Sequence, residues 1–486
     1  MSANDMLLTR LKSFGIASSQ VKLGDDSILN IHGVIRSLPY KRLVCVGMWG
    51  GQHVYAKFFF GKDAKKYSER DLAGIRLLAA AEITSPVLLH QGELLGGLGS
   101  VLIYRAIEPA HNVEKLWAEL DKARQFEIAK KLVVAVAEHH NANLIQTDLY
   151  LKNFLFSDGV IYTLDGDGIR KYLPLTPKIA VFNLCTLLSK LDVLDLEVWL
   201  SALVTLYEQN RNQPVYLTIH AIKNTVCRQR KRVAKRYADQ KVFRTCTDVT
   251  VVSDKNFSAV SSKFNHLNLT QDADQYDALL ASHTILKAGN TCTVGLIKFN
   301  QVNVVVKRYN IKNFWHLLGR MWRPSRAAVS WANAHRLMIL GIPTASPIAL
   351  LELRTLGLRS KAYFLSEYVD APDIATFFTE HHDDLLRSEV IKNVVEMFYR
   401  LFLLQVSHED MKAANIKILN RQPLLIDLDS MRQHDFAFSA LKAHVKDLRR
   451  FMRNWKDDTS LYNAFIEAFN TTYIDRSALI EANIFN

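Results

Sequence analysis

Hydrophobic and polar positions along the chain predict a hairpin followed by two helices in the first half. Two apolar runs, 43–49 and 54–60, flank Gly50-Gly51 and predict a pair of antiparallel strands. Apolar residues at helical spacing then predict a helix over 70–80 and a long amphipathic helix over 126–140. Strands therefore come first in this half, and helices follow.

The same order of elements is predicted again in the second half. A strand over 302–307 precedes a helix over 330–338, which ends at 341–343, a Gly-Ile-Pro sequence. A further strand over 363–368 and a long amphipathic helix over 390–406 follow. Because both halves are strand-rich first and helix-rich second, the pattern predicts an α+β class. Each half has a small antiparallel-sheet lobe and a larger helical lobe.

The length of the chain agrees with two domains. A single hydrophobic core rarely serves 486 residues, so two cores are expected. Helical signals continue to about residue 245 and then give way to polar positions. We therefore predict a first domain over 1–245, a linker over 246–274 and a second domain over 275–486.

One set of polar residues occurs twice with identical spacing. An aspartate is followed by an asparagine 5 residues later and by another aspartate 17 residues after the first, and the two copies are 262 residues apart. The copies are Asp148, Asn153 and Asp165 in the first half, and Asp410, Asn415 and Asp427 in the second. Surface and capping carboxylates at coincidental spacing are the alternative interpretation, and the repetition argues against it.

These residue types suit phosphoryl transfer, in which positioning and charge do most of the work. A carboxylate must orient the attacking hydroxyl and accept its proton, which we predict for Asp148 and Asp410. An amide oxygen and a second carboxylate hold a metal ion, and Mg²⁺ prefers such oxygen ligands. We predict this role for the residues at the other two positions of each copy, Asn153 and Asp165 in the first half and Asn415 and Asp427 in the second.

A lysine lies in an apolar strand upstream of each copy, Lys57 in the first half and Lys307 in the second. In kinases such a lysine contacts ATP phosphates and a carboxylate on the following helix. Asp71 is the expected carboxylate in the first half, with Glu69 as the alternative. In the second half the corresponding position is Ser330, and 325–340 contains no acidic residue.

The loop before each catalytic aspartate also differs between the halves. His408-Glu409-Asp410 has the H-x-D form of kinase catalytic loops, whereas the first half has Gln146 at the histidine position. A glutamine side chain still forms hydrogen bonds but does not titrate. Neither half contains a clear glycine-rich G-x-G-x-x-G loop.

The composition of the chain indicates its cellular compartment and the kinds of partner that it could bind. Five cysteines without a CxxC pair argue against a disulfide framework or a zinc site and favour a reducing cytoplasm. The N-terminus lacks the apolar core of a signal peptide, and no apolar run is long enough to span a membrane. The net charge of +13 is compatible with an anionic partner, namely nucleic acid, anionic lipid or a phosphorylated glycan.

Two basic segments are candidates for such contacts. Segment 314–323 interleaves aromatic residues with arginines and predicts an element at a membrane surface, or alternatively a loop packed on the sheet lobe. The run from Arg228 to Arg236 predicts either a solvated helix face or a phosphate-binding surface. No nucleic-acid-binding motif accompanies these segments, so nucleic acid is not a predicted partner.

Together these motifs resemble the lipopolysaccharide core kinases, which phosphorylate heptose or Kdo sugars of the inner core in Gram-negative bacteria. Both D-x4-N loops carry the resemblance, and so do the D-x-D sequences Asp165-Gly166-Asp167 and Asp427-Leu428-Asp429. The segments 330–345 and 447–455 add to it in the second half. The resemblance covers most of both halves, and two such domains in one chain are unusual for the family.

The resemblance implies two tandem protein-kinase-like bilobal domains that use ATP and Mg²⁺. The implied acceptor is a sugar hydroxyl of the lipopolysaccharide inner-core glycan on lipid A, and the implied location is the cytoplasmic face of the inner membrane, as a peripheral protein. Two other interpretations stay open. One is a pseudokinase scaffold that binds nucleotide or lipopolysaccharide without transfer, and the other is a kinase for another small-molecule or protein hydroxyl.

Overall fold

The computed structural model describes residues 19–38, 41–94, 97, 99–214, 218–269, 272–289, 292–309, 324–355 and 358–485. The chain divides into two compact units, unit 1 over 1–226 and unit 2 over 227–486. Each unit combines an antiparallel sheet with helices, which confirms the predicted α+β class. The basic aromatic segment 314–323 lies outside the described residues.

The larger sheet of unit 1 contains six antiparallel strands. They are β1 (Ser19–Lys22), β2 (Ile28–Leu38), β3 (Arg42–Trp49), β4 (Gln52–Phe59), β5 (Leu88–Glu93) and β6 (Ser100–Arg105). Their order across the sheet is β1-β2-β3-β4-β6-β5. The predicted hairpin is β3–β4, and Gly50 and Gly51 form its turn with φ angles of 53° and 76°. A two-residue hairpin turn with both φ angles positive favours glycine, which has no Cβ.

The rest of unit 1 is mainly helical. Its helices are α1 (Ala64–Ala80), α2 (Val113–Glu119), α3 (Lys122–Asn141), α4 (Pro177–Leu188) and α5 (Val193–Gln209), and α6 (Ile219–Asp239) begins in unit 1 and ends in unit 2. Short strands between them are β7 (His111–Asn112), β8 (Leu144–Gln146), β9 (Phe154–Ser157), β10 (Val160–Thr163) and β11 (Ile169–Lys171). They form two small sheets, β10-β9-β7 and β11-β8.

Unit 2 contains a seven-stranded antiparallel sheet. Its strands are β12 (Val249–Ser253), β13 (Phe257–Ser261), β14 (Thr284–Ala288), β15 (Cys292–Phe299), β16 (Val302–Tyr309), β17 (Pro347–Thr355) and β18 (Leu358–Glu367). Their order is β12-β13-β17-β18-β16-β15-β14. The segment 246–274, predicted as a linker, therefore supplies two strands of this sheet. The buried positions of these strands include Ser258 and Ser261, so the hydrophobic pattern does not mark them as strands.

The remaining elements of unit 2 are mainly helical. They are α7 (Ala273–Ser282), α8 (Arg326–Ile339), α9 (Ile374–Glu380), α10 (Asp384–Leu403), α11 (Ala437–Met452), α12 (Thr459–Thr472) and α13 (Ser477–Ala482), with short strands β19 (Val406–Ser407), β20 (Ile416–Leu419), β21 (Gln422–Leu425) and β22 (Arg432–Gln433). The short strands pair as β19–β22 and β20–β21.

Elements of the two units recur at constant separations. Helix α3 and strands β9 and β10 reappear 262 residues later as α10, β20 and β21, with the same lengths. Both long helices begin at an aspartate whose side chain accepts a backbone N–H of the first turn, Asp121 and Asp383, as favoured at helix starts. The hairpin β3–β4 reappears 250 residues later as β15–β16. Each unit thus places a lysine-bearing strand before a long capped helix and a short hairpin.

Separate hydrophobic clusters support the sheet and the helices. In unit 1, Val54, Phe58 and Ile103 are fully buried under the sheet, whereas Leu132 and Leu203 belong to a second cluster among the helices. Phe58 to Phe60 are all buried, so this run is core as its strand pattern predicts. In unit 2, sheet residues pack around Tyr363. Phe398, Phe451, Trp455 and Phe465 form an aromatic cluster among the unit 2 helices, with neighbouring ring centroids 4.8 to 5.6 Å apart.

Candidate active sites in the two units

In unit 1, Lys57 on β4 forms an ion pair with Asp71 on α1. The lysine Nζ lies 2.9 Å from Oδ2 and 3.2 Å from Oδ1 of Asp71, and the Tyr104 hydroxyl donates to Oδ1 at 2.9 Å. Asp71 is fully buried. Burial raises the pKa of Asp71, although the Lys57 ammonium opposes this change. Glu69, the alternative partner by sequence, is exposed. The structure therefore joins Lys57 to Asp71, and Tyr104 is a third member that the sequence pattern did not indicate.

Asp165 follows β10 and lies next to this pair. Its Oδ1 is 3.5 Å from Lys57 Nζ and 3.7 Å from an Arg42 nitrogen. The backbone of Asp165 is left-handed, with φ of 63°, a conformation that residues other than glycine adopt rarely. Burial acts to raise the pKa of Asp165, but the Lys57 and Arg42 cations outweigh burial and hold that pKa below its usual range.

Asp167 lies two residues further on and contacts two arginines. Arg70 Nε is 2.9 Å from one carboxylate oxygen, and Arg42 Nη2 is 3.5 Å from the other. Neither Asp165 Oδ1 nor Asp167 Oδ1 has a hydrogen-bond partner by geometry within the described part of the chain, and both atoms are buried. Arg70 is nevertheless close to Asp167 Oδ1, whereas the cations nearest to Asp165 Oδ1 lie at 3.5 and 3.7 Å, so the Asp165 oxygen is the one suited to accept a metal ion.

The loop that carries Asp148 is held by Asn153. Asn153 Nδ2 donates to the backbone oxygen of Asp148 at 2.7 Å, and its own carbonyl accepts the Leu164 N–H at 2.8 Å. Asn153 is buried, whereas Asp148 is exposed. Asn153 thus links the backbone of Asp148 to the strand end that presents Asp165, a connection that the spacing in sequence does not reveal.

In unit 2, Lys307 on β16 contacts the D-x-D sequence directly. Its Nζ lies 2.5 Å from Asp427 Oδ1 and 2.9 Å from Asp429 Oδ2, and Arg326 Nη2 lies 2.8 Å from the same Asp429 oxygen. Burial acts to lower the pKa of Lys307, but its neighbours Tyr309, Asp427 and Asp429 outweigh burial and raise it. Asp427 has a left-handed backbone with φ of 63°, as Asp165 does in unit 1.

Ser330 occupies the helix position of the missing acid. Its Oγ lies 2.9 Å from the Tyr309 hydroxyl, and the side chain is buried. In unit 1 the helix carboxylate accepts from Tyr104 on β6, whereas in unit 2 the helix hydroxyl meets Tyr309, which lies on the lysine strand β16. Lys307 is consequently paired with the D-x-D carboxylates rather than with helix α8.

The unit 2 loop repeats the asparagine contact of unit 1. Asn415 Nδ2 donates to the backbone oxygen of Asp410 at 2.9 Å, and the Asn415 carbonyl accepts the Ile426 N–H at 3.0 Å. The Asp410 carboxylate also contacts Arg450, and Lys412 Nζ lies 3.4 Å from its Oδ2. Neither Arg450 nor Lys412 was among the residues predicted from the spacing.

Gln146 and His408 occupy matching positions and make the same kind of hydrogen bond. Gln146 Nε2 donates to the carbonyl of Leu164 at 3.0 Å, and His408 Nε2 lies 2.9 Å from the carbonyl of Ile426. Because a carbonyl oxygen only accepts, this contact assigns the proton of a neutral His408 to Nε2. Both side chains are fully buried, and burial lowers the pKa of His408. Gln146 therefore forms the hydrogen bond that His408 forms in unit 2, but its side chain has no titratable proton.

A buried carboxylate on α11 supports the unit 2 loop from behind. Asp447 Oδ2 accepts the backbone N–H of His408 at 2.7 Å. Burial raises the pKa of Asp447 to about 7. In unit 1, helix α4 presents Asn183 instead, whose Nδ2 donates to the Gln146 carbonyl at 2.9 Å. Asp447 lies in the 447–455 segment that the resemblance included, but only the structure shows what this residue contacts.

One family comparison falls on this second site. Residues 284–473 match the lipopolysaccharide kinase (Kdo/WaaP) family. The matched segment lies within unit 2, covers less than half of the chain and contains the lysine, both aspartates and the asparagine of the unit 2 site. A match to a kinase family supports a phosphotransferase and implies a kinase-like fold for that segment. No curated protein matches the chain.

The basic run from Arg228 to Arg236 contains none of the residues of the two candidate sites named above. The run from Arg228 to Arg236 lies on helix α6. Lys231 of this run is not a solvated cation, because its Nζ donates to Gln405 Oε1 at 2.7 Å and to the carbonyl of Asp435 at 2.9 Å. Among the described residues, no helix is long and apolar enough to cross a membrane.

Proposed function

We propose that the chain transfers the γ-phosphoryl group of ATP to a heptose or Kdo hydroxyl of the lipopolysaccharide inner core, through unit 2, and that unit 1 carries a second kinase-like site. The main support is the family match to 284–473, which contains the clustered Lys307, Asp410, Asn415 and Asp427. The proposal of two tandem domains is supported by the elements, the asparagine contacts and the left-handed aspartates that recur 262 residues apart.

Asp410 is the proposed group that orients the acceptor hydroxyl and takes its proton. The sugar oxygen then bonds to the γ-phosphorus while the bond from that phosphorus to the ADP oxygen breaks, and ADP leaves with the electron pair. Lys307 is the proposed contact to the ATP phosphates. The corresponding residues in unit 1 are Asp148 and Lys57, with Asp71 holding the lysine. Positioning and charge stabilisation are what such a transfer requires of the protein.

Mg²⁺ is the proposed metal, and the donor set fits it. Asp165 with Asn153, and Asp427 with Asn415, supply one carboxylate and one amide oxygen in each unit, which matches the preference of Mg²⁺ for few protein oxygens plus phosphate oxygens. The buried Asp165 oxygen without a hydrogen-bond partner by geometry supports the fit. When bound, Mg²⁺ offsets the negative charge of the phosphates. In unit 2, Lys307 Nζ contacts the carboxylates of both Asp427 and Asp429.

The proposed partners are the inner-core glycan on lipid A and the cytoplasmic surface of the inner membrane. The net charge of +13 supports a peripheral association with anionic headgroups. Co-sedimentation with vesicles that contain anionic lipid, compared with neutral vesicles at equal salt, tests this part of the proposal separately from catalysis.

The decisive experiment is phosphate transfer from labelled ATP to purified core lipopolysaccharide. We expect Asp410→Ala to abolish the transfer and the exposed Asp457→Ala to leave it unchanged. If Asp148→Ala lowers transfer as well, both units are catalytic. If only Asp410→Ala has an effect, unit 1 is a binding or regulatory module. If the wild type binds Mg-ATP but transfers nothing to the glycan, a scaffold or a kinase for another hydroxyl replaces the proposal.

A further inference from the structure

The catalytic-loop aspartate of unit 2 is covered by cations on both of its oxygens. Arg450 contacts Oδ1, while Lys412 lies 3.4 Å and Asn415 Nδ2 lies 3.2 Å from Oδ2. A carboxylate that accepts a proton from a hydroxyl needs an oxygen free for that hydroxyl. Arg450 therefore competes with the acceptor hydroxyl for this carboxylate, and an arginine that leaves Oδ1 needs another partner.

Helix α11 holds Arg450 over this loop from both sides. Asp447, three residues earlier on α11, accepts the His408 N–H at 2.7 Å, and Asn454, four residues later in the helical turn that follows α11, accepts the Ala413 N–H at 3.4 Å. Residues at this spacing share one helix face, so the face with Arg450 is turned to the loop. The backbone is anchored, but the Arg450 side chain is 47% exposed.

The contact between Arg450 and Asp410 is suited to exchange. Ion pairs with a half-exposed partner contribute little net stability, so a new anion displaces such a pair easily. A guanidinium binds phosphate and carboxylate groups through two parallel hydrogen bonds. Lys412, 38% exposed, adds a second positive charge beside it.

We propose that Arg450, together with Lys412, binds a phosphate or carboxylate group of the acceptor next to the hydroxyl that is phosphorylated. Unit 2 thereby selects an anionic sugar over a neutral one. The proposal takes Asp410 as the proton acceptor and so rests on the function proposed for unit 2. Arg450 is a specificity residue. When it leaves Asp410 to bind the acceptor anion, the Asp410 carboxylate becomes available to the acceptor hydroxyl.

Unit 1 lacks this arrangement. The position 262 residues before Arg450 is Leu188, which is fully buried. Lys190 interacts electrostatically with Asp148, and the Nζ atoms of Lys152 and Lys190 lie 5.0 and 4.1 Å from the ring centre of Tyr150. Anion selection through an arginine on this helix is therefore specific to unit 2.

The test compares three forms of deacylated inner-core oligosaccharide as ligands and acceptors of the full chain. One is used as isolated, one has its phosphates removed with hydrogen fluoride, and one has its carboxylates reduced to alcohols. Binding is measured by calorimetry and transfer with labelled ATP. Arg449→Ala is the matched control, because Arg449 is adjacent on α11 but donates to the carbonyl of Glu481.

We expect Arg450→Ala to weaken binding and raise KM for the isolated glycan about tenfold or more, as for loss of a charge-assisted pair. KM for ATP stays unchanged, Arg450→Lys restores part of the affinity, and Arg449→Ala has no effect. If wild type and Arg450→Ala bind the dephosphorylated glycan equally well, the recognised group is a phosphate. If they bind the carboxyl-reduced glycan equally well, it is a carboxylate.

Other results separate this inference from the function it rests on. If Arg450→Ala weakens all three glycans equally, or raises kcat without changing binding, anion recognition is wrong and the contact is structural or inhibitory. If the wild type transfers phosphate to none of the glycans while Arg450→Ala still weakens only the anionic ones, the kinase proposal fails and the anion site stands.

Discussion

Lys307 lies 2.5 Å from Asp427, 120 residues further along the chain. The pair joins the sheet of unit 2 to the end of the short hairpin β20–β21 and so fixes the distance between the proposed phosphate-binding group and the proposed metal ligand. In unit 1 the matching lysine instead forms its shorter contact with Asp71 on helix α1, and Asp165 is 3.5 Å away. The two units therefore hold the same lysine by different carboxylates.

Replacement of Lys307 by methionine tests the role of this pair. The variant removes the cation proposed to meet the ATP phosphates, so we expect transfer to fall about a hundredfold, the effect of losing one preorganised electrostatic contact. Steady-state transfer assays with varied ATP measure it. Lys298→Met, exposed on β15, is the control. Undiminished transfer by Lys307→Met would assign the catalysis to unit 1, which Lys57→Met then tests.

Asp71→Asn tests the buried pair of unit 1. Breaking one partner of a buried ion pair leaves the other charge uncompensated, so we expect the free energy of unfolding of unit 1 to fall by about 3 kcal/mol. Chemical denaturation followed by circular dichroism measures the change. Glu69→Gln, two residues away but exposed, should leave the transition in place. Equal effects of both substitutions would contradict the assignment of Asp71 as the lysine partner.

Asp447 makes the stability of unit 2 depend on pH. Its folded-state pKa is raised from 3.8 to about 7 by burial, so the folded state binds the proton more tightly than the unfolded state does. The stabilisation is complete below about pH 4, is lost as the pH rises toward 7, and changes no further above that. Asp447→Asn retains an oxygen for the His408 N–H and should remove this dependence. Unfolding midpoints between pH 4 and 8 check it, with the exposed Asp457→Asn as control.

His408→Gln tests whether the two loops are equivalent. Gln146 shows that a glutamine amide can donate to the carbonyl of Leu164, the residue before Asp165. We therefore expect His408→Gln to keep the transfer rate within a few-fold. His408→Ala leaves the Ile426 carbonyl without its donor and should destabilise unit 2 by about 1–3 kcal/mol. Equal stability losses in the two variants would argue against a shared hydrogen-bonding role.

The sequence by itself determined the order of the elements and the paired polar set. Periodic apolar positions are local signals, so they marked the hairpin β3–β4, helix α1 and the long helices α3 and α10. The duplicated spacing of Asp148 and Asp410 depends only on chain position, and both aspartates lie on the predicted loops. The sequence pattern did not indicate the strands of segment 246–274, because β13 pairs with β17, a partner almost one hundred residues away, and β12 joins the sheet through β13.

Only the tertiary structure decided which charges meet. The choice of Asp71 over Glu69 follows from burial, since α1 turns one toward Lys57 and the other toward solvent. The pairing of Lys307 with Asp427, the buried support from Asp447 and the cover of Asp410 by Arg450 all join residues that are distant in sequence or lie on different elements. Contact distance and burial set the strength of charge interactions, and neither can be read from the order of residues.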